Sequence, residues 1–454
     1  FCYMFQRAAL EELIKWGDNP THKPLIIRGA RQVGKTTLVT QFANRFTHYV
    51  YLNLELPEDR KPFESFSTVD NLLQSIFFQK NKPLNLQLKN LIFIDEIQVV
   101  PEAINILRYL HEQAPQIHVI AAGSMLESLF NSEVHFPVGR VSYLMLRPAS
   151  FPEFLSALGE NAALEQLKNI PVQPFAHDKL LSLFHTYALI GGMPEIVAHY
   201  AAYRDLSALG PIYDALIASY MEDVEKYAVS SAQALHIRHV IEASYASAGK
   251  RIKFEQFGNS SYRSREMGEA LRIVEKALLL DLIYPSTSVR LPLVQDKNKS
   301  PRLQLLDTGM LNYFVGLQKD IIGTSDLIDI YQGTVIEHLI GQEMLSFQYE
   351  ALSALSFWVR DKPTSSAEVD YLYLFDGKLI PIEVKSGTEG RLRSLHQFMD
   401  LTPHAMAVRF YAGPLQLNQS TILTGKKYFL LNLPYYLASQ LENYLAWLPT
   451  QIKS

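Results

Sequence analysis

At 454 residues the chain is too long for a single hydrophobic core, and about two to four domains are expected. A composition 48% hydrophobic and 19% charged excludes a disordered chain, and no apolar run approaches the roughly 18–20 residues of a membrane-spanning helix. The formal net charge of −4 excludes a polycation, so any contact with nucleic acid must use local basic patches.

In chain order, "FCYMFQRAALEELIKW" (1–16) reads as an amphipathic helix. It lacks the basic region and cleavage site of a signal peptide. The single cysteine, Cys2, excludes an internal disulfide framework and a thiolate zinc site, and a cytoplasmic location is the expectation. Five short apolar runs follow: 23–29, 48–55, 90–96, 118–124 and 142–148. Segments of helical periodicity separate most of them, which predicts a parallel sheet covered by helices on both faces.

"GARQVGKTT" (29–37) follows the first of these strands and opens the first helix after it, the context a phosphate-binding loop requires. Gly29, Ala30, Arg31, Gln32, Val33 and Gly34 turn backbone N–H groups toward phosphate oxygens. Lys35 reaches the β- and γ-phosphates, Thr36 offers its hydroxyl to Mg²⁺, and Thr37 completes the loop. In "LIFIDEIQ", Asp95 falls at the carboxyl end of a buried strand, where it would hold Mg²⁺ through water. Glu96 is placed to polarise the water that attacks the γ-phosphate. Ser124, ending "AAGS", reads as a γ-phosphate sensor or as a plain turn serine. Arg140, in "FPVGRVSY", reads as an arginine finger, on its own or a neighbouring subunit of a homo-oligomer, or as a surface arginine. No Asn-Lys-x-Asp guanine reader is present, so ATP is the expected nucleotide.

From about 151 to 230 the periodicity is helical, as expected of a lid over the nucleotide. "IGGMPE" (190–195) interrupts it, either as a hinge or as an interhelical turn. From 231 to 315 the order is helix, basic segment, long helix, strand, strand, which fits a winged helix. Arg251, Lys253, Arg263, Arg265 and Arg272 favour nucleic acid, while Glu266, Glu269 and Glu275 dilute the charge and favour a packing role.

The stretch 316–454 is predicted as helix (333–348), three strands (355–361, 368–375, 378–386), helix (391–401) and strand (405–413). Asp376-Gly377 is a two-residue hairpin turn. If it closes 375 onto 378, paired residue numbers sum to 753, so Asp370 faces Glu383 and Glu368 faces Lys385, all on one face. Like charges directly opposite repel, and a divalent cation, Mg²⁺ or Mn²⁺, would resolve this. Lys385 stands beside them as a point charge for a phosphate or an attacking water. The competing reading is a salt-bridged face in which Lys385 neutralises the glutamates.

Asp370 followed by "EVK" at 383–385, in that order of elements, resembles the PD-(D/E)xK, or restriction-endonuclease-like, nuclease superfamily. The resemblance implies that Asp370 and Glu383 bind Mg²⁺ and that Lys385 assists hydrolysis. It also implies Glu337 as a further metal ligand and Gln397 as an auxiliary residue. Val369 stands where the family name has proline. Across nearly its whole length the chain resembles AAA-type (ASCE P-loop) ATPases of bacteria and archaea with a fused nuclease-like domain. "RGARQVGKTTL", "IDEIQ", "GR" (139–140), "GGMPE", "LDTGML" (306–311) and "EVDYLYLFDGKLIPIEVKSG" carry that resemblance. The expected fold is α/β: a P-loop NTPase core (1–150), helical lid (151–230), winged helix (231–315) and C-terminal α/β restriction-endonuclease-like domain (316–454). The expected partners are ATP and DNA or RNA, with no membrane. The expected function is ATP hydrolysis coupled to Mg²⁺-dependent nuclease action. The alternative is an ATP-driven switch whose nuclease-like domain binds without cutting.

Overall fold

The computed structural model describes residues 5–64, 66–123, 139–226, 228–317, 333–350, 353–361, 366–386 and 392–452. The chain is mixed α/β, built on two large sheets. The first consists of β1 (Leu25–Arg28), β2 (His48–Asn53), β3 (Asn90–Asp95), β4 (His118–Gly123) and β5 (Ser142–Met145). All are parallel, in the order β2-β3-β4-β1-β5. Successive residues feed opposite faces. Ile27, Phe93 and Ala122 join one apolar cluster, and Ile26, Ile92 and Ala121 join the other. Helices on both faces therefore account for the unbroken apolar runs.

Helices Phe151–Ala157, Asn161–Lys168, His177–Ile190, Pro194–Tyr203 and Gly210–Glu225 follow. Next come helices Ser231–Ser247 and Ser264–Lys276 and the antiparallel pair β6 (Leu280–Ile283) and β8 (Arg302–Leu305). The β6–β8 connection leaves this unit. Its short strand β7 (Pro285–Ser286) pairs with β9 (Ser356–Val359) and becomes the edge of the C-terminal sheet. One apolar cluster runs from the first sheet through all these helices into the C-terminal domain.

The second sheet also holds β10 (Glu368–Phe375), β11 (Lys378–Val384), β12 (Met406–Tyr411), β13 (Gln416–Thr421) and β14 (Lys427–Pro434). Its order is β13-β14-β12-β11-β10-β9-β7. Helix Gly333–Ser346 precedes it, helix Arg393–Leu401 makes the crossover between parallel β11 and β12, and helix Leu441–Ile452 follows. Asp376 and Gly377 have φ of 46° and 69°, the left-handed pair a tight hairpin requires. The register runs from Phe375↔Lys378 to Tyr371↔Ile382, with the sum expected from that turn. Pro381 is tolerated inside this central strand because pairing with β12 starts only at Ile382.

The expected common face of Glu368, Asp370, Glu383 and Lys385 does not form. Against β9, Val369 pairs with Trp358 and Leu372 with Ser356, so β10 carries one extra residue between them. That bulge sends Val369 and Leu372, three apart, into the same apolar cluster, which a regular strand forbids. Glu368 is turned to pair with Val359 on the opposite face.

The two glycines of "IGGMPE" sit in a packed junction and not at a free hinge. A Cβ on Gly192 would lie 2.1 Å from the Ala149 carbonyl oxygen, and one on Gly191 2.2 Å from Asp307 Oδ1. Asp307 accepts hydrogen bonds from the Gly192 N–H (2.6 Å) and the Met310 N–H (3.0 Å). Gln342, on helix Gly333–Ser346, accepts from the Thr308 N–H (2.8 Å). Glu343, one residue on, accepts from the Phe151 N–H (3.0 Å). A buried polar network thus ties the ATPase side of the molecule to the first helix of the C-terminal domain.

Candidate functional site

The phosphate loop leaves β1 and enters helix Lys35–Ala43 through Gly34 at φ 93°, a conformation that favours glycine. Gly29 has no room for a side chain, since a Cβ there would lie 2.4 Å from the Leu146 carbonyl oxygen. The Lys35 side chain is 7% exposed, and its Nζ donates to the Gly29 and Ala30 carbonyls, both at 2.9 Å. Burial lowers its pKa, and nearby Glu96 and Asp95 oppose this. A buried ammonium that donates to loop carbonyls fits an anion such as a nucleotide phosphate.

Beside it the Thr36 hydroxyl donates to Asp95 Oδ2 at 2.8 Å. These are hard oxygens from two different elements, the donor chemistry Mg²⁺ takes. Glu96 follows at φ 52°, an uncommon backbone for a residue with a side chain. Burial raises its carboxyl pKa, against the hydrogen bond from Gln98 Nε2 to its Oε2 at 2.5 Å. Gln98 was not singled out from the sequence, although it lies only two residues past Glu96. Arg31 is turned away from the loop interior: its Nη1 donates to Asp223 at 2.8 Å, and the Tyr220 hydroxyl donates to its carbonyl at 2.8 Å. Buried Arg7 braces the loop from outside, donating to the Val33 carbonyl at 2.9 Å.

Arg140 is not brought to this site. It precedes β5, whose first residue Ser142 pairs with Leu25 at the end of the strands opposite the loop. It is exposed and ion-paired with Glu112 at 3.5 Å. In this structure Arg140 therefore does not reach the phosphate loop of its own subunit. Ser124 lies outside the described residues.

In the C-terminal domain, Asp370 and Glu383 stand one step beyond the last pair of the β10–β11 ladder. Asp370 Oδ2 accepts the Val384 N–H at 2.7 Å. Lys385 Nζ is hydrogen-bonded to Glu383 Oε1, while the buried Glu383 Oε2 has no partner among the described residues. Burial raises the carboxyl pKa of both Glu383 and Glu337, and Asp370 raises each further. Burial likewise raises Asp370. For Lys385, burial acts downward but is outweighed by Glu383, so its pKa rises.

Glu337 lies close enough to Asp370 and Glu383 for their charges to raise its pKa, but its carboxylate is already engaged. It is held by Arg302 Nη1, and Glu368 by Nη2 of the same guanidinium. Arg302 is 4% exposed, donates to the Asp370 carbonyl at 3.0 Å, and lies 4.6 Å over the Phe357 ring. Among the described residues no group of three or more His, Cys, Asp or Glu is arranged to hold a metal ion. The carboxylate chemistry suits Mg²⁺, but the arrangement is closed by a guanidinium. Arg302 was missed from the sequence because "PRLQLLD" reads only as a strand. Gln397 is bonded by Arg360 Nη1 at 2.7 Å and takes no part in this cluster.

Three stretches match protein-family models: residues 21–155 an AAA domain, 181–321 a domain of unknown function (DUF8612), and 332–434 a domain of unknown function (DUF4143). No curated protein matches the chain. Among solved structures, it is similar to the Walker-type ATPase PABY2304 of Pyrococcus abyssi at 15% identity and TM-score 0.44, over 69% of this chain and 96% of that one. It is also similar to Pif1 helicase from Candida albicans at 14% identity and TM-score 0.22, over 39% of this chain and 48% of that one. The phosphate loop, the Thr36–Asp95 bond and the match over 21–155 define an AAA-type P-loop ATPase domain. Among the described residues no helix is long and apolar enough to cross a membrane.

Proposed function

We propose that this protein hydrolyses ATP with Mg²⁺ at the Lys35–Thr36–Asp95–Glu96 site and uses the cycle to act on DNA or RNA through its C-terminal domain. The observation that carries the ATP reading is the convergence of Thr36 and Asp95, at 2.8 Å, beside the buried Lys35 ammonium. Bound Mg²⁺ would neutralise charge on the β- and γ-phosphates. Lys35 holds the phosphates, Thr36 and Asp95 position the ion, and Glu96 takes a proton from the attacking water.

Nucleic acid is supported by the exposed Lys250, Arg251 and Lys253, of which Arg251 borders the acidic cluster. Arg251 reaches Glu368 there, at 3.5 Å. On the expected division of the chain, the winged-helix unit 231–315 carries this patch and the nuclease-like domain 316–454 cuts, with Asp370 and Glu383 holding Mg²⁺ or Mn²⁺. A metal there would polarise the scissile phosphate, and Lys385 would steady its charge. A second reading, a DNA-responsive switch that does not cut, is favoured by the ion pairs of Arg302 and Lys385. Phosphate release with Mg²⁺-ATP, with and without DNA, tests the first part. Several-fold stimulation is expected, and equal rates over a range of salt would point to a protein partner instead. Cleavage of linear, branched and single-stranded substrates separates the two readings.

A further inference from the structure

We infer that Arg302 is a built-in cation that keeps the C-terminal acidic cluster shut to metal, so that a metal ion binds there only when its guanidinium is displaced. The inference rests on the nuclease-like reading of that cluster. Its ground is geometric. The guanidinium forks between Glu337 and Glu368, touches the backbone carbonyl of Asp370, and is sandwiched near Phe357. It thereby occupies Glu337, the carboxylate that would complete a set with Asp370 and Glu383. A forked guanidinium donates to two carboxylates at once and offsets one of their two charges, holding the place a hydrated divalent ion would otherwise take.

A surplus of acid remains. Lys385 meets Glu383 through Oε1 alone, and Oε2 is buried without a partner among the described residues. Leaving a buried carboxylate oxygen unserved is costly in a cluster built only for stability. The unserved atom points to a second state with a cation that reaches it.

The plug also has a mechanical connection to the nucleotide site. Arg302 begins β8, and Asp307 follows shortly after that strand, bonded to the Gly192 N–H. Pro194, two residues beyond Gly192, packs against the phosphate loop: a Cβ on Gly34 would lie 3.7 Å from its Cγ. Glu337 lies on the helix that carries Gln342 and Glu343, which hold Thr308 and Phe151. Plug and socket are thus each anchored to the junction behind the ATP site, and they are tied to each other where the Leu305 N–H donates to His338 Nε2 at 2.8 Å.

The test is a calorimetric titration of the full chain with MnCl₂, without nucleotide. Arg302→Met should bind Mn²⁺ at least about tenfold more tightly than wild type. Adding Glu383→Gln to it should abolish the gain, which places the ion at this cluster and not at Asp95. Arg302→Lys should fall between, since an ammonium lacks the two separate nitrogens with which the guanidinium holds Glu337 and Glu368. It also retains the buried charge, so it carries the test if Arg302→Met fails to fold. Equal Mn²⁺ affinity in wild type and both Arg302 variants would overturn the proposal, as would a gain that survives Glu383→Gln. Tight binding in Arg302→Met without cleavage supports the plug and refutes the nuclease reading. Cleavage by wild type with binding indifferent to Arg302 refutes the plug alone.

Discussion

Glu343 is fully buried where helix Gly333–Ser346 meets helices Phe151–Ala157 and His177–Ile190, and its proton can be located by counting hydrogens. The Tyr187 hydroxyl lies 2.8 Å from the Ala149 carbonyl oxygen and 2.6 Å from Glu343 Oε1. One phenolic hydrogen cannot serve both acceptors. If Glu343 is a neutral acid, it donates to Tyr187, Tyr187 donates to Ala149, and every group is satisfied. Burial agrees, pushing the Glu343 pKa from 4.5 up to about 8. A raised folded-state pKa means that the folded chain holds a proton the unfolded chain has released. Stability from this group is therefore complete below about pH 4.5 and is lost as pH rises to about 8. The slope is about 1.4 kcal/mol per pH unit, with a ceiling of roughly 5 kcal/mol over the window. Glu343→Gln mimics the neutral acid and removes the titration. Urea denaturation of both proteins from pH 4.5 to 9 should show the variant gaining on wild type steadily, then levelling off above about pH 8. Parallel curves across that range would show that Glu343 is ionised in the fold and refute the proton count.

Other outcomes follow from the ATP site and the junction. Lys35→Ala should weaken binding of a fluorescent ATP analogue by about a hundredfold or more, because a buried charge-assisted contact is lost. Glu96→Gln should keep that binding and slow phosphate release on the order of 10²-fold, and an unchanged rate would remove Glu96 as the base. Gly192→Ala places a Cβ 2.1 Å from a backbone oxygen that cannot step aside, so it should destabilise the chain by about 1–3 kcal/mol in denaturant titration.

Much of this protein is local and was legible in the sequence. Apolar runs alternating with helical periods gave the first sheet, because burial on two faces demands them. The phosphate loop was legible because its backbone needs glycine at fixed places, as Gly29 and Gly34 show. Asp376-Gly377 set the β10–β11 register, because a two-residue turn leaves the strands no slack. What the sequence left undecided depends on partners far apart in the chain. The extra residue in β10 appears only against β9, and it moves Glu368 to the other face. Arg302 meets Glu337 and Glu368 from 35 and 66 residues away, and nothing local in "PRLQLLD" marks it as the counter-ion of an acidic cluster. Arg140 and the phosphate loop flank neighbouring strands of one sheet, yet parallel pairing puts them at opposite ends of those strands. Periodicity and turn chemistry act between neighbours in sequence. Burying a charge is decided by whichever opposite charge the tertiary fold brings to it, and only the packed structure supplies that partner.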